Sequence, residues 1–366
     1  MLRRLLLVVL AGMAVGLAVL AWGWSRWTGP GPGAGGTPVV VRIPPGMTLG
    51  AAADTLVARG LLADRRVLLA GARLTGRDRG LRAGLYELSP GQAPRDLLAD
   101  LTAGRSIQVA VTIPEGLDAG EIGAIVASAF GWQADAFLAA ADSLARLATE
   151  TGGWLGPDQA ARLDSLTAAT AAAGPRRFRW CEGLLAPDTY RFATGTGPDV
   201  VAAHLVDTQA ARLGQAVEAA RGGVNAALTP FELLTLASIV EAEARRDDER
   251  RLIAAVYTNR MQRGWRLEAD PTVAFLLDRK GQRLYFKHLK TDSPYNTYRR
   301  RGLPPGPIGT PGVASLAAAA TPDTSCEALY FVSDGADGHV FSRTAREHED
   351  AVRRFRALRS GDRAAD

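Results

Sequence analysis

The start of the chain constrains it most. Leu5–Trp24 is a run of 20 residues without a charge, rich in Leu, Val and Ala. At about 1.5 Å of rise per residue, such a helix spans about 30 Å, enough to cross the hydrocarbon core of a bilayer. Arg3 and Arg4 precede the run and only Arg26 follows closely. The positive-inside bias therefore places the amino terminus in the cytoplasm and the bulk of the chain beyond the membrane. Trp22, Trp24 and Trp27 fall where an interfacial aromatic belt would lie. A cleaved signal peptide is the alternative; it would have a shorter apolar core, and no clear A-x-A site precedes the glycines that follow. Residues 1–24 are thus predicted to be a single-pass anchor with an extracytoplasmic body.

Composition narrows what that body can be. With 366 residues, 47% hydrophobic and 22% charged, the chain is sized for about two domains and is neither a disordered polymer nor a multi-pass membrane protein. Its net charge of +5 does not point to nucleic acid. Of 43 basic residues only Lys280, Lys287 and Lys290 are lysine, and no stretch interleaves basic with aromatic residues as nucleic-acid modules do. The four histidines lie far apart, and no nucleophile-elbow, Walker or Rossmann pattern occurs, so neither metal nor cofactor is expected. Cys181 and Cys326 are too few for a disulfide framework. They read as small buried hydrophobes, or as one bridged pair.

Residues 25–38, rich in Gly and Pro, read as a flexible linker. A strand–turn–helix–glycine pattern then recurs three times: Val39–Ile43 with Pro45-Gly46 and a stop at Gly60, Leu85–Leu88 with Pro90-Gly91 and a stop at Gly104, Ile107–Ile113 with Glu115-Gly116 and a stop at Gly131. Thr48 and Asp118 suit N-caps. With a second helix over Asp64–Leu74, the first unit has the β-α-α-β order of small carbohydrate-binding LysM-like modules, which assigns 39–106. Residues 107–228 read as an α+β connecting region with an Ala-rich helical insertion at 132–175, and 229–360 as the catalytic region. The fold class is α+β: a transmembrane helix, the β-α-α-β module and a mixed α/β catalytic domain.

The last third carries the chemistry. Thr229-Pro230-Phe231-Glu232 is a capping box with proline at the first helical position. The helix it opens runs on through an apolar stretch, so it should be buried. Glu241 shares a stripe with Leu234, Ala237 and Ser238. A carboxyl at the end of such a stripe is a candidate general acid, since burial favours the neutral form; the competing reading is a structural ion pair with Arg245, one turn on. Glu243 points elsewhere and reads as solvated. A second helix starts near Asp247 and closes at Gly264, with Asn259 and Arg260 as a polar cluster aimed inward. Asp270-Pro271-Thr272 reads as an N-cap with an N1 proline. Ser293, Tyr295, Asn296, Thr297 and Tyr298 bring hydroxyls, an amide and rings to one loop beside the rigid Gly302–Ile308, a mixture suited to sugars. A hairpin over 328–334 and 339–343 and a basic terminal helix complete the chain.

Ser238-Ile239-Val240-Glu241, Asn259-Arg260, Asp270-Pro271-Thr272, Ser293–Tyr298 and Gly302–Ile308 together resemble the endolytic murein transglycosylases of the MltG/YceG-like family. Glu182-Gly183 with Pro187–Tyr190, and Tyr330-Phe331-Val332 with His339 and Phe341, fit the same pattern; Leu184 and Ala186 depart from it. The resemblance implies a single-pass enzyme of the inner membrane with its catalytic body in the periplasm. It implies peptidoglycan strands as substrate, cell-wall synthases as possible partners and no cofactor. It puts Glu241 on the catalytic glutamate and Asn259, Asp270, Thr272, Ser293, Tyr295, Asn296, Thr297 and Tyr298 among substrate-binding positions. One carboxyl would protonate the leaving oxygen and then, as carboxylate, take the C6 hydroxyl proton as that oxygen closes on C1, leaving a 1,6-anhydro end. Such cuts in nascent strands would terminate glycan growth. Two other readings stand beside this one: a hydrolytic muramidase using Glu241 and Asp270, and a non-catalytic peptidoglycan-binding scaffold.

Overall fold

The computed structural model describes residues 2–155, 161, 163–166 and 178–362. The part of the Ala-rich insertion at 156–160, 162 and 167–175 lies outside them. The chain divides into two compact units, Met1–Ala110 with Arg191–Gly197, and Val111–Tyr190 with Pro198–Asp366.

The first unit opens with helix α1 (Leu2–Thr28). Val9–Thr28 is long and apolar enough to cross a membrane. Strand β1 (Val39–Ile43), helices α2 (Leu49–Ala58) and α3 (Arg65–Leu74) and strand β2 (Gly84–Leu88) follow in the expected β-α-α-β order. β1 and β2 pair antiparallel, Val41 opposite Tyr86. Thr48 caps α2 by accepting from the Ala51 amide, and Asp64 caps α3 from the Arg66 amide. Helix α4 (Pro94–Ala103) closes the unit over a core of Val41, Ile43, Leu56, Leu68, Tyr86 and Leu97. The linker is not free along its length. α1 continues through residue 28, and Trp27 packs on the core, lying over Gly71 where any side chain would collide with its ring. The Gly31 and Gly33 amides donate to the carbonyls of Gly91 and Pro90, each at 3.1 Å.

Strand β3 (Gln108–Thr112) carries the chain into the second unit and pairs with β4 (Thr189–Ala193). Helix α5 (Ala119–Phe130) begins with the full Asp118–Glu121 capping box, and its first amide is also held by the buried carboxylate of Glu182. Helices α6 (Ala134–Thr151) and α7 (Pro198–Ala220) come next. Helix α8 (Pro230–Glu243) then runs through the middle, packed by α7, α9 (Arg250–Gln262), α10 (Asp270–Leu276) and α11 (Val313–Ala320). Every residue from Leu233 to Val240 is buried, so this stretch has no solvent face. Its start is the predicted one: the Thr229 hydroxyl accepts from the Glu232 amide at 3.2 Å and the Glu232 carboxylate accepts from the Thr229 amide at 2.9 Å. The hairpin β5 (Tyr330–Ser333) and β6 (His339–Ser342) and helix α12 (Ala345–Asp362) end the described chain. Both cysteines are free thiols.

Candidate active site

Helix α8 delivers two carboxyls, and they leave it in opposite directions. At 100° per residue, positions 241 and 243 differ by about 200° around the axis. The helix is buried up to Val240, and beyond it Glu241 turns into protein while Glu243 lines a cleft.

Glu241 ends in an ion pair. Its Oε1 accepts from Arg250 Nη1 at 2.9 Å and its Oε2 from the Gly312 amide at 3.0 Å. The two side chains are only 7% and 11% exposed. Arg250 also donates to Ser315 Oγ at 2.6 Å and to Asp247 at 3.1 Å, and stands 4.0 Å from Glu115. Burial, followed by the negative charge of Glu241, raises the Glu115 carboxyl above its ordinary value, with Arg250 pulling the other way. The ion-pair reading of Glu241 thus has its counterpart in the structure, but the partner is Arg250 and not Arg245. The helix ends before Arg245 can complete an i,i+4 contact, because Ala244 is already extended.

Glu243 is not solvated as expected. It is half-buried, and its Oε1 accepts from the hydroxyl of buried Tyr257 at 2.8 Å. Burial pushes its carboxyl from 4.5 up to about 7. The Tyr257 hydrogen bond opposes that rise, the charge of Asp270 adds to it, and Arg245 and Arg260 oppose it more weakly. A carboxyl poised there can donate a proton near neutrality and take one back, which is the requirement for a general acid and base. Burial also lifts the Tyr257 phenol well above its ordinary value, with the Glu243 charge adding to it.

Glu243 opens on a cleft of about 1200 Å³. Ala242 and Arg245 flank it; Asp270, Pro271 and Ala274 of α10 form one wall, and residues 280–284 a lip. Gly116, Ile308, Val332 and, from α12, Val352, Phe355 and Arg356 complete the lining. This volume exceeds the roughly 300–1000 Å³ of small-molecule sites and suits a segment of polymer. Glu241 is not among the lining residues. A smaller hollow of about 490 Å³ between β6 and α12 has its acids already engaged: Glu347 caps the helix start and Asp350 pairs with Arg353.

Of the residues expected to bind substrate, only Asp270 lines the cleft. It is not the N-cap, a position held by Ala269 without a side-chain bond; Asp270 is the first helical residue and accepts from the Tyr298 hydroxyl at 2.7 Å. The others brace the wall from behind. Thr272 and Thr297 share a buried hydroxyl contact at 2.9 Å, and Thr297 also receives the Ala269 amide. Asn296 is fully buried and donates to the carbonyls of Leu289 and Thr291, while Ser293 receives the Tyr295 amide at 3.2 Å. Tyr295 is buried against Phe275. Asn259 donates to the carbonyls of Cys326 and Ala328, and Arg260 to those of Leu329 and Leu267. That inward polar cluster ties the approach to the hairpin onto α9. Reading by residue type missed Glu243, Tyr257 and the cationic side chains of the lip. The available signal was Glu243's place as the last helical residue of a helix apolar all round.

The model of the YceG-like family matches residues 41–354. The chain belongs to that family. It is 28% identical over 324 residues to the endolytic murein transglycosylase of Bacillus subtilis strain 168, covering 87% of this chain and 85% of that protein. It is also 28% identical over 329 residues to the endolytic murein transglycosylase of Streptococcus pneumoniae D39, where it spans 57% of the relative's length. The crystal structure of a YceG-like protein from Listeria monocytogenes superposes with a TM-score of 0.56 at 25% identity, covering 86% of this chain and 98% of that one.

Proposed function

We propose that this chain is an endolytic murein transglycosylase in which Glu243 acts first as acid and then as base. The observation carrying the assignment is the Glu243 carboxyl, titrating near 7 on the floor of a polymer-sized cleft. Protonated, it gives its proton to the glycosidic oxygen of the leaving sugar. As carboxylate it takes the proton of the MurNAc C6 hydroxyl, whose oxygen closes on C1. The attacking group is internal, so one carboxyl suffices and no water is consumed. Tyr257 holds the carboxyl in one rotamer and gives the carboxylate a donor after the first transfer. Glu241, which the family resemblance puts at the acid position, acts in this reading through Arg250 and Gly312, fixing the end of α8 from which Glu243 projects.

Two variants separate these roles. Glu243→Gln should abolish release of anhydro ends from isolated glycan strands, and Glu241→Gln should leave measurable turnover in the protein that folds. The reverse order would return the acid to Glu241. A second reading has support in Asp270, which lines the same cleft and could activate water opposite Glu243. A muramidase of that kind would release ends one water heavier by mass spectrometry.

The cellular setting belongs to the same proposal. Helix α1 would be the single-pass anchor, with Arg3 and Arg4 on the cytoplasmic side and the catalytic unit in the periplasm. The β-α-α-β module would bind glycan as LysM-like modules do. Cuts close to the membrane would then end the growth of nascent strands, within reach of the synthases that extend them. Removing residues 1–28 and measuring the lengths of strands released from lipid-linked substrate tests the anchor's part; unchanged lengths would refute it.

A further inference from the structure

Among the described residues, the cleft around Glu243 is lined by four cationic side chains, Arg245, Lys280, Arg283 and Arg356, against Asp270 as the one other acid. Two of the four have local work. Lys280 donates to Glu121 and to the Gly116 carbonyl, both at 2.8 Å, and lies 3.5 Å from Asp118. Arg245 bears directly on the charge of Glu243. Arg283 and Arg356 differ. Both are exposed, neither forms an ion pair with a carboxylate among the described residues, and neither is among the charges that weigh most on Glu243. Arg283 instead lies over the Tyr285 ring, 5.5 Å from its centroid, which holds the guanidinium at the lip. Solvated arginines on a convex surface would mean little. Here they line one concave site from the lip and from α12, with Val352 and Phe355 lining it too.

Guanidinium groups in that setting fit planar anions, above all carboxylates, which they bind by paired charge-assisted hydrogen bonds. A murein strand offers carboxylates from two sources. A muramic acid bearing a stem peptide has its lactyl carboxyl tied up in an amide and presents free carboxylates along the peptide, away from the sugar ring. A muramic acid stripped of its peptide presents the lactyl carboxylate itself, close to the ring. Because Arg283 comes from the lip and Arg356 from α12, and neither from the end of α8 that carries the acid, we propose that they bind the peptide's carboxylates and make the cleft selective for strands that still carry stem peptides. This rests on the proposed cleavage of murein at Glu243.

The test compares the full-length protein on two substrates, peptide-bearing strands and the same strands stripped by an amidase. The expected kcat/KM ratio favours the peptide-bearing strands by at least about tenfold, the contribution of one charge-assisted hydrogen bond. In the Arg283→Gln/Arg356→Gln double variant the ratio should fall towards one through loss on the peptide-bearing strands. A partly misfolded variant loses rate on both substrates and leaves the ratio unmoved, so the ratio reports on recognition. Equal rates of the wild type on both strands, preference for stripped strands, or an unchanged ratio in a double variant that keeps the wild-type rate on stripped strands would overturn the proposal. Calorimetric binding of GlcNAc–MurNAc-tripeptide and of GlcNAc–MurNAc to the Glu243→Gln protein gives an arm that needs no cleavage. If no strand is cut, the transglycosylase reading fails on its own, while preference for the tripeptide form, lost in the arginine variant, would still uphold the role of the arginines.

Discussion

Replacing Glu243 by Gln should make the protein more stable at high pH while removing its activity. The carboxyl titrates at 4.5 in its ordinary setting and at about 7 in the folded chain. A raised acid binds its proton more tightly when folded, so its stabilising contribution is whole below pH 4.5 and is lost as pH climbs through 7. Integrating the linkage between those two values gives a wild-type loss of about 2–3 kcal/mol between pH 5 and pH 8.5. Gln imitates the neutral acid, keeps an acceptor for Tyr257 and cannot ionise. All other titrating groups are common to both proteins and cancel in the difference. At roughly 2–4 °C per kcal/mol for a unit of this size, the melting temperature of the variant should gain about 5–10 °C on the wild type between pH 5 and pH 8.5. The assay is differential scanning calorimetry of both proteins across that range, beside cleavage of isolated strands. Cleavage should be lost at every pH in the variant, and in the wild type kcat/KM should decline above about pH 7 as the acid loses its proton. A melting difference independent of pH, or a variant that loses ground as pH rises, would refute the claim that this carboxyl is held protonated.

Three further outcomes follow from the same geometry. Arg250→Gln leaves the Glu241 carboxylate buried without its cation, and should cost about 3–5 kcal/mol in urea unfolding, whereas adding Glu241→Gln should recover part of that loss because the stranded charge is gone. Tyr257→Phe removes the hydrogen bond that opposes the rise of Glu243, so the alkaline limb of the activity profile should move to higher pH. Gly123 faces Leu138 across α5 and α6, and a Cβ there would sit 2.8 Å from that side chain. Gly123→Ala would gain up to about 1 kcal/mol in helix propensity but lose about 1–3 kcal/mol to overpacking, so its denaturation midpoint should fall.

Much of the architecture is legible locally because its signals are local. Thr48 and Asp118 cap the helices they precede, and the Thr229–Glu232 box opens α8 at the predicted residue. The hairpin at β5 and β6 sits within its expected bounds. The linker shows where this stops. Gly- and Pro-rich sequence says only that a segment lacks a periodic face, and the docking of Trp27 over Gly71 depends on a residue 44 positions away. The polar residues of Ser293–Tyr298 mislead for a related reason. Hydroxyls and amides serve equally to grip a sugar and to satisfy backbone groups behind a wall, and Asn296 and Thr297 do the latter.

The two glutamates at the end of α8 show why the proposed acid is hard to read in the sequence. Helical periodicity assigns function by contrast between a dry face and a wet one, and α8 has no wet face between Leu233 and Val240. With that contrast absent, the stripe argument could say that Glu241 is buried but not what it is buried against. Arg250, nine residues on and past a break in the helix, decides the matter by turning the carboxyl into half of an ion pair. Glu243 meets Tyr257 and, through open cleft, Asp270, both from other helices, and so keeps a carboxyl near 7. Both residues are partly buried, and one meets a cation where the other meets a phenol. The division also has a mechanical consequence. Locking Glu241 to Arg250 and to the Gly312 amide pins the last turn of α8 from behind, so the carboxyl two residues on can project into an open cleft without the fraying a helix end would otherwise allow.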